Sequence, residues 1–409
     1  MKRVIILGGG FAGLNAAKQL KNIQDIEIII FDYNNYHLFQ PLLYQVAMAG
    51  LDPADIAYPL RTIFSGVKNV KIYLDRVNEI KKDENIVVTD FGEFYYDYLV
   101  IATGSTSHYF GNNHWMEYTL PLKTLANARN IRNKILTSFE EAEKSTDAAM
   151  KQKYLTFIII GGGPTGAELA GSLAEMCKFT LAKDFKNINT KDSKIILLEK
   201  APLIMGTYNR KLSEKATQFL EKMGIEVKTD INVLDIQKDL VKTDKGDFPA
   251  STIIWTAGVK PTELGEKSNF PTNKRGQIIV ENDLSIKNYP NIFAAGDIAY
   301  VQQNGKPLPG IAPVAMQEGI YVAKAIMAKL KNKSIKPFKC MNRGQMATIG
   351  RNKAIAEFWK FKLSGFSAWL SWIFIHIYYL TGFKNKIVVM FQWAWSYFSY
   401  KKGSRIILR

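Results

Sequence analysis

The chain has 409 residues, of which 47% are hydrophobic and 22% charged, a composition typical of a globular protein with about two or three domains. Its 54 lysines and arginines exceed its 37 aspartates and glutamates, and the net charge of +17 favours an anionic partner: nucleic acid, a phospholipid surface or an anionic cofactor. With only two cysteines and four histidines, neither a disulfide scaffold nor a metal site is expected.

The N-terminal segment does not have the pattern of a secretory signal. Lys2 and Arg3 precede only four apolar residues before a run of glycines, whereas a signal needs an apolar stretch of about 7–15 residues. We therefore expect the chain to begin folding in the cytosol.

The first elements predict a dinucleotide-binding βαβ motif. An apolar strand at 4–7 leads into the glycine-rich turn 8–13 and a helix over 14–21. A second apolar run over 26–31 ends in Asp32, which stands 19 residues beyond the last glycine of the turn. A strand, a glycine-rich turn, a helix and an acid about 20 residues on are typical of a dinucleotide site.

A second copy of this motif follows. A strand at 157–160 is followed by the turn 161–166, a helix directly after it, and a strand at 195–198 that ends in Glu199. Glu199 stands 33 residues beyond the last glycine, so we predict an insertion around 183–192. Two complete motifs are much stronger evidence than a lone glycine pattern.

The glycines of each turn have separate roles. The first makes the tight turn, the second lets the backbone approach a pyrophosphate, and the third lets helix and strand pack closely. The helix N-terminus offers N–H groups to the phosphates, while Asp32 and Glu199 would accept hydrogen bonds from ribose hydroxyls. In this order, the glycines are Gly8, Gly10 and Gly13 in the first motif and Gly161, Gly163 and Gly166 in the second.

Three further strands end at glycines, at 98–104, 253–258 and 291–297. Ligands in open α/β sheets collect at the carboxyl ends of strands, so Asp297 could hold a polyol hydroxyl. A simple turn-forming or helix-capping aspartate is the alternative.

The C-terminal segment differs from the rest of the chain. From residue 351 onward it has ten basic residues against one acid, Glu357, a net charge of +9, and five of the seven tryptophans. The basic residues are Arg351, Lys353, Lys360, Lys362, Lys384, Lys386, Lys401, Lys402, Arg405 and Arg409.

The segment contains two aromatic, apolar stretches, 366–380 and 387–400, each shorter than the roughly 20 residues that span a bilayer. Tryptophans and tyrosines beside lysines predict helices that lie on an anionic membrane surface. The alternatives are a buried helical hairpin and a dimer interface. We interpret His376 as a packed residue rather than a proton donor.

Together these features resemble the two-dinucleotide-binding-domain flavoproteins. The closer resemblance is to type II NADH dehydrogenase, the single-subunit, non-pumping NADH:quinone oxidoreductase of respiratory membranes. It covers almost the whole chain and is carried by the segments 39–47, 54–59, 161–168, 291–297, 312–317, 365–370 and 392–397.

This resemblance implies an α/β fold of two Rossmann-like dinucleotide-binding domains and a C-terminal amphipathic helical membrane-association module. The implied FAD-binding domain has two parts, at 1–120 and 271–350. The implied NADH-binding domain lies between them at 121–270, and the C-terminal module lies at 351–409. FAD and NADH are the implied cofactors, bound by the glycines and acids named above. Further implied FAD contacts are Phe11, Ala12, Val77, Thr103, Gly104, Asp297 and Ala312.

The resemblance assigns catalytic roles to Glu168, beside the flavin and nicotinamide, and to Gln317, on the quinone side. For Glu168 the alternative is an acid that stabilises a helix N-terminus. The family pattern Ala-Gln-x-Ala-x-Gln has Pro313 in place of its first glutamine here, which removes one amide but suits the first turn of a helix.

The implied reaction passes a hydride from NADH to FAD and then two electrons to a membrane quinone. Glu199 would repel the 2′-phosphate of NADPH, with Lys200 able to soften that repulsion. The expected location is the cytoplasmic face of the bacterial inner membrane, as a peripheral protein bound to anionic lipid. The resemblance does not specify which quinone is used or whether the protein forms a homodimer.

Three other functions fit parts of the sequence: a sulfide:quinone oxidoreductase, another FAD/NAD(P)H-dependent reductase, and an FAD-containing redox sensor. Disulfide reductases of the superfamily carry a close cysteine pair, whereas Cys177 and Cys340 are 163 residues apart, and we interpret both as buried thiols. A nucleic-acid partner is not expected, because the charge lies beside tryptophan-rich stretches and no nucleic-acid-binding motif is present.

Overall fold

The computed structural model describes residues 1–359, 361–400 and 403–407. Lys360, Lys401, Lys402 and Arg409, counted above among the C-terminal basic residues, lie outside the described residues. The chain forms two compact units from interleaved segments. The first unit comprises Met1–Leu38, Ala57–Thr106 and Val259–Met341, and the second comprises Phe39–Ile56, Ser107–Gly258 and Asn342–Arg409.

The described strands are, in chain order, β1 (Lys2–Leu7), β2 (Ile26–Asp32), β3 (Tyr36–Leu38), β4 (Ala57–Pro59), β5 (Val70–Leu74), β6 (Val77–Lys81), β7 (Ile86–Thr89), β8 (Glu93–Tyr95), β9 (Tyr98–Ile101), β10 (Ser105–Ser107), β11 (Leu120–Pro121), β12 (Thr156–Ile160), β13 (Lys194–Leu198), β14 (Ile225–Lys228), β15 (Val233–Gln237), β16 (Leu240–Thr243), β17 (Gly246–Pro249), β18 (Thr252–Trp255), β19 (Val259–Pro261), β20 (Ile278–Ile279), β21 (Ser285–Ile286), β22 (Tyr289–Ala294), β23 (Ala299–Tyr300), β24 (Gln302–Gln303), β25 (Lys306–Pro307), β26 (Gln345–Gly350), β27 (Lys353–Phe358) and β28 (Phe361–Ser364).

The described α-helices are α1 (Phe11–Leu20), α2 (Leu43–Ala47), α3 (Pro53–Ile56), α4 (Leu60–Ile63), α5 (Leu125–Lys144), α6 (Ala148–Tyr154), α7 (Pro164–Glu175), α8 (Arg210–Lys222), α9 (Leu264–Lys267), α10 (Ala312–Leu330), α11 (Phe366–Tyr379) and α12 (Phe383–Ser399). Short 3-10 turns lie at Gln40–Leu42, Asn113–Glu117 and Thr190–Asp192, and a π-helical turn lies at Met176–Thr180.

The first unit is built on a six-stranded sheet with the order β21-β22-β9-β1-β2-β5. Strand β1 pairs in parallel with both β2 and β9, and β9 pairs in parallel with β22. The central strands are runs of isoleucine, valine and leucine whose side chains are buried, as expected of a parallel sheet covered on both faces. Helix α1 packs closely on α10, because Gly319 lets the two backbones approach at Ala12.

The second unit contains a five-stranded parallel sheet with the order β11-β18-β12-β13-β14. Two three-stranded antiparallel sheets, β15-β16-β17 and β26-β27-β28, belong to the same unit. Helix α7 lies directly against β26, where a Cβ at Gly171 would overlap the carbonyl oxygen of Ile349. This close packing fixes the position of the helix that follows the second glycine-rich turn.

Both predicted βαβ motifs are confirmed. The strands end where predicted, with Asp32 the last residue of β2 and Glu199 directly after β13. Both helices begin earlier than predicted, at Phe11 and Pro164, because the turn itself supplies the first helical residues. Between α7 and β13, the 3-10 turn Thr190–Asp192 lies within the insertion predicted around 183–192, and the π-helical turn Met176–Thr180 precedes it.

The C-terminal stretches form helices α11 and α12. Only Ala368, Trp372 and His376 of α11, and Asn385 and Val389 of α12, are buried. Most of their aromatic side chains are exposed, so the alternative of a buried hairpin is wrong. Among the described residues, no helix combines the length and apolar character needed to cross a membrane.

The predicted fold class is thus confirmed: two Rossmann-like α/β motifs followed by amphipathic C-terminal helices. The C-terminal helices pack with the second unit, where the Asn385 amide donates to the carbonyls of Ala54 and Asp55, each at 2.9 Å. The division by cofactor into 1–120, 121–270, 271–350 and 351–409 stays a prediction, because compactness does not reveal which cofactor a segment holds.

Candidate functional site

The first glycine-rich turn has the geometry of a phosphate cradle. Gly8 has a φ of +101°, and a Cβ there would overlap the carbonyl of Ala102. A Cβ at Gly13 would overlap the carbonyl oxygen of Gly8, whereas one at Gly10 would meet nothing within 4 Å. The first and third glycines are therefore required by packing, and the second leaves an open space in front of the backbone.

Helix α1 begins beside this space with Gly10 as its N-cap and without a side chain that caps its N–H groups. Asp32 accepts hydrogen bonds from the backbone N–H groups of Gly9 and Asn34, both at 2.7 Å. Burial raises the pKa of Asp32, and the two N–H donors partly oppose that shift. Asp32 therefore holds the turn in place as well as ending β2.

The second turn repeats this arrangement in the second unit. Gly161 has a φ of +109°, a Cβ at Gly166 would overlap the carbonyl oxygen of Gly161, and a Cβ at Gly163 would meet nothing within 4 Å. Glu199 accepts the N–H groups of Gly162 at 2.6 Å and Ala201 at 2.8 Å. Helix α7 likewise starts without a side-chain cap.

Asp297 lies in the first unit directly after Gly296, which has a φ of +79°. The Ser105 hydroxyl donates to the Asp297 carboxylate. Asp297 lies in the turn between β22 and β23, so it caps no helix, and its contact with a polyol hydroxyl stays a prediction beside a turn-forming role. A cavity of about 20 Å³ is lined by Asp297, Gly296, Gly310, Ala315 and Glu318, among others. The geometry brings Asp297 to the start of α10.

The remaining predicted FAD contacts also lie in the first unit. Phe11 and Ala12 form the first turn of α1, and Ala312 is the first residue of α10. Thr103 shares a 2.6 Å hydrogen bond with the hydroxyl of Thr262. Gly104 has a φ of +71°, and Val77 begins β6 and packs against the core of the unit. The contacts of these residues with FAD stay predictions.

Glu318 is a buried acid that we did not single out from the sequence. It accepts the N–H of Gly296 at 2.6 Å. Burial, reinforced by the nearby Asp297, raises the pKa of Glu318 to about 8, so its carboxyl stays protonated near neutral pH. The signal available in the sequence was that Glu318 is the single acid of this helix and directly follows Gln317.

Gln317 is held by the backbone. Its amide accepts the N–H of Met341 at 2.9 Å and donates to the Met341 carbonyl at 3.0 Å. It also donates to the Cys340 sulfur at 3.4 Å and to the Pro313 carbonyl at 3.0 Å. The helix that carries Pro313 begins at Ala312 as expected, and its glutamine anchors a neighbouring segment.

The interpretation of both cysteines as buried thiols is half wrong. Cys177 is buried in the π-helical turn that follows α7, but Cys340 is only partly buried. Cys340 belongs to the irregular segment before β26, and its backbone N–H and carbonyl pair with the side chain of Gln303 at 2.7 and 3.2 Å. A segment held mainly through its backbone leaves its side chains partly open to solvent.

Glu168 lies in the second unit on the second turn of α7, deep in the protein but with part of its side chain open to solvent. It accepts the N–H of Thr348 at 3.3 Å. Burial raises the pKa of Glu168 to about 8, against smaller opposing effects of Thr348 and Trp372. A carboxyl that stays neutral gains little from the positive end of a helix dipole. This disfavours the alternative that Glu168 only stabilises the N-terminus of its helix.

A chain of polar side chains connects α12 with the surroundings of Glu168. The Trp393 indole donates to the Gln45 amide oxygen at 2.7 Å, and the Gln45 amide nitrogen donates to the Tyr44 hydroxyl at 2.9 Å. Burial raises the pKa of Tyr44, and the nearby Glu168 raises it further. Tyr44, Gln45 and Trp393 lie in the segments 39–47 and 392–397 that carry the family resemblance.

His376 lies one turn beyond Trp372 on α11 and stacks on its ring at 4.1 Å between centroids. One imidazole nitrogen, Nδ1, lies 2.7 Å from the Trp372 carbonyl oxygen. Burial lowers the pKa of His376 to about 4, so the ring is neutral near pH 7. The structure agrees with a packed histidine.

Three comparisons place the chain among known proteins. The pattern of the pyridine nucleotide-disulphide oxidoreductase family matches residues 2–319. The type II NADH:quinone oxidoreductase Ndh of Mycobacterium tuberculosis is 37% identical over 99% of this chain and 90% of its own length. The fold is shared with NDH2 of Plasmodium falciparum, solved with NADH, at a TM-score of 0.91, 18% identity and full coverage of both chains.

The sulfide:quinone oxidoreductase of Aquifex aeolicus has the same fold, with a TM-score of 0.77, 20% identity and coverage of 97% of this chain and 95% of its own. The fold alone therefore does not separate the two kinds of enzyme, whereas the 37% sequence identity is to a type II NADH:quinone oxidoreductase.

Proposed function

The chain belongs to the type II NADH:quinone oxidoreductases, within the pyridine nucleotide-disulphide oxidoreductase family, and we propose that it works with FAD as a peripheral enzyme on the cytoplasmic face of a bacterial inner membrane. One observation supports the proposal above the others. Two glycine-rich turns, each open at its middle glycine and each followed by an uncapped helix, occur in a chain that ends in helices with exposed aromatic faces.

The residues of the first unit fit FAD. The open space at Gly10 and the uncapped N–H groups of α1 suit a diphosphate, while Asp32 and Asp297 offer carboxylate oxygens to hydroxyl groups. Phe11, Ala12, Val77, Thr103, Gly104 and Ala312 complete the proposed binding set. When bound, FAD supplies the two-electron chemistry, taking a hydride from NADH and returning two electrons to the quinone.

The second turn is the proposed NADH site. Gly161, Gly163 and Gly166 shape it, and the N–H groups at the start of α7 would hold the pyrophosphate. Glu199 keeps a carboxylate next to the turn, where it would accept ribose hydroxyls and repel a 2′-phosphate. Lys200 next to it weakens that repulsion without removing it, so NADH is the preferred coenzyme.

Glu168 is the proposed proton-holding group. Because its carboxyl stays protonated to about pH 8, it can supply a proton at neutral pH, when a quinone takes up two protons on reduction. Gln317 contributes on the quinone side by holding the backbone of Met341, which sets the shape of the segment around it.

Helices α11 and α12 are the proposed membrane contact. Phe374, Phe391 and Phe398 are exposed by 67%, 70% and 82%. Rings at headgroup depth, with Lys384 and Lys386 facing anionic lipid, would keep the enzyme on the surface where a quinone dissolved in the bilayer can reach it. The cytoplasmic face follows from the location of NADH and of anionic lipid.

The decisive experiment uses the full-length protein, purified with lipid and kept free of oxygen. Adding NADH should bleach the visible flavin absorbance within the mixing time, and a quinone added afterwards should restore it. NADPH should bleach it far more slowly. A protein that takes up no FAD, or that NADH bleaches and quinone does not restore, would contradict the proposal.

A further inference from the structure

The buried side of helix α11 contains a polar group, the indole N–H of Trp372, that lacks a hydrogen-bond partner among the described residues. Ala368, Trp372 and His376 recur every four residues and face inward, while Phe374 and Tyr378 are exposed. Trp372 is 2% exposed, and its ring contacts those of His376 at 4.1 Å and Trp393 at 5.2 Å. Its Nε1 atom has no hydrogen-bond partner of good geometry among the described residues.

A buried N–H donor without a partner costs free energy and calls for an explanation. The candidate acceptor is Glu168: burial raises the pKa of its carboxyl, and the Trp372 indole is one of the two nearby donors that oppose this shift. The indole N–H and the carboxyl do not form a hydrogen bond of good geometry in the structure. A hydrogen bond between them would be strong if the carboxyl lost its proton, because donors bind more tightly to ionised oxygens.

The surroundings of Glu168 contain few groups that could stabilise its ionised form. The N–H of Thr348 donates at 3.3 Å, a long bond. The titratable side chains of this region are His376 on α11, which stacks on Trp372 and is neutral, and Tyr44 on α2 and Tyr208 before α8, whose pKa values burial raises. Glu175 on α7 lies near Tyr44, and Glu357 on β27 lies near Tyr208.

We propose that Trp372 is a positioning residue for Glu168, whose indole N–H moves into a hydrogen bond with the carboxylate each time Glu168 gives up its proton. The proposal rests on the proposed role of Glu168 in quinone reduction. It means that α11, one of the two helices with an exposed aromatic face, also controls the proton affinity of the acid.

The direct test is an infrared titration of the full-length holoenzyme in liposomes. The carbonyl band of protonated Glu168 is assigned by its loss in Glu168→Gln, in a Glu318→Gln background that removes the other acid whose pKa is raised to about 8. Trp372→Phe removes the N–H and should raise the pKa of Glu168 by on the order of half a unit to one unit. Trp395→Phe, the same change at a side chain that is 66% exposed, should leave it unchanged.

The pH profile of quinone reduction gives the second readout. The break assigned to Glu168, absent in Glu168→Gln, should move to higher pH in Trp372→Phe and stay in place in Trp395→Phe. If Trp372→Phe folds poorly, a benzothiophene analogue of tryptophan at position 372 keeps the ring size and removes the N–H.

An unmoved titration in Trp372→Phe or in the analogue, with activity lower or not, would overturn the proposal and leave Trp372 a packing residue. A moved titration in a protein that cannot reduce quinone would instead support the positioning role and contradict the proposed function.

Discussion

At the scale of single residues, two carboxyls are kept protonated by their surroundings. The pKa values of Glu168 and Glu318 are both raised to about 8 from an ordinary value of 4.5, mainly by burial. In the unfolded chain each would lose its proton near its ordinary value. The folded protein therefore binds more protons between about pH 4.5 and 8, and their contribution to stability is lost as the pH rises through that window.

Glu318→Gln tests this argument. Glutamine keeps an oxygen to accept the Gly296 N–H but never ionises. We expect the melting temperature of the variant to fall less than that of the wild type between about pH 5 and 8. Glu84→Gln, at an exposed turn, is the control. Parallel pH curves for Glu318→Gln and the wild type would show that the acid does not titrate in this window.

Two glycines of the second turn should respond in opposite ways to alanine. Gly163 has a φ of −69° and open space at its Cβ position, so Gly163→Ala should change stability by less than about 0.5 kcal/mol. The methyl group would fill the space that the pyrophosphate needs, and the KM for NADH should rise about tenfold or more, or about 1.4 kcal/mol.

Gly166→Ala is the matched comparison, because its methyl group would overlap the Gly161 carbonyl. We expect it to destabilise the protein by about 1–3 kcal/mol in denaturant unfolding. An unchanged KM in Gly163→Ala would remove the second turn from the NADH site.

At the scale of elements, α11 and α12 have one docked and one exposed side. Asn385 and Trp393 attach α12 to backbone and side-chain acceptors of the second unit, and Trp372 buries the inner face of α11. Removing both helices by truncation after about Leu363 should abolish membrane association, but it would also uncover the surroundings of Glu168. Substitutions on the exposed side therefore separate membrane binding from folding.

The triple variant Phe374→Asp, Phe391→Asp and Phe398→Asp places charge on that exposed side. We expect loss of sedimentation with liposomes, while FAD content and melting temperature stay near those of the wild type. Phe91→Asp is the control, because Phe91 is 80% exposed but lies outside both helices. Liposome binding that survives the triple change would show that these helices are not the membrane contact.

At the scale of the whole molecule, the net charge of +17 and the aromatic surface should act together on a lipid bilayer. Attraction between lysines and anionic headgroups is screened as salt increases, since the Debye length falls from about 10 Å at 0.1 M to about 3 Å at 1 M. Burial of aromatic rings is not screened in this way.

We therefore expect partition onto vesicles with anionic lipid to fall between about 0.05 and 0.5 M salt without vanishing. Vesicles of neutral lipid should bind more weakly and show little salt dependence. Equal binding to both lipid types at every salt concentration would mean that the basic residues do not contribute.

Local order explains what could be read from the sequence alone. A buried parallel strand is a run of apolar residues, and a glycine is required where the chain turns sharply or packs closely. Gly8, Gly13, Gly161 and Gly166 are therefore visible in the sequence, as are the strands that precede the turns. Helices α11 and α12 are also visible in the sequence, because their aromatic composition predicts helices with an exposed apolar surface.

Only the tertiary structure decided which hydrogen-bond partners are brought together from segments far apart in the chain. Burial of Glu168 and Glu318 depends on segments far away in the chain, and so do the backbone partner of Gln317 and the position of Trp372. Proton affinity depends on desolvation and on donors brought near by packing. Neither quantity is encoded in the spacing of residues along one element, and so the raised pKa of Glu168, and Glu318 as a second such acid, became apparent only in the folded chain.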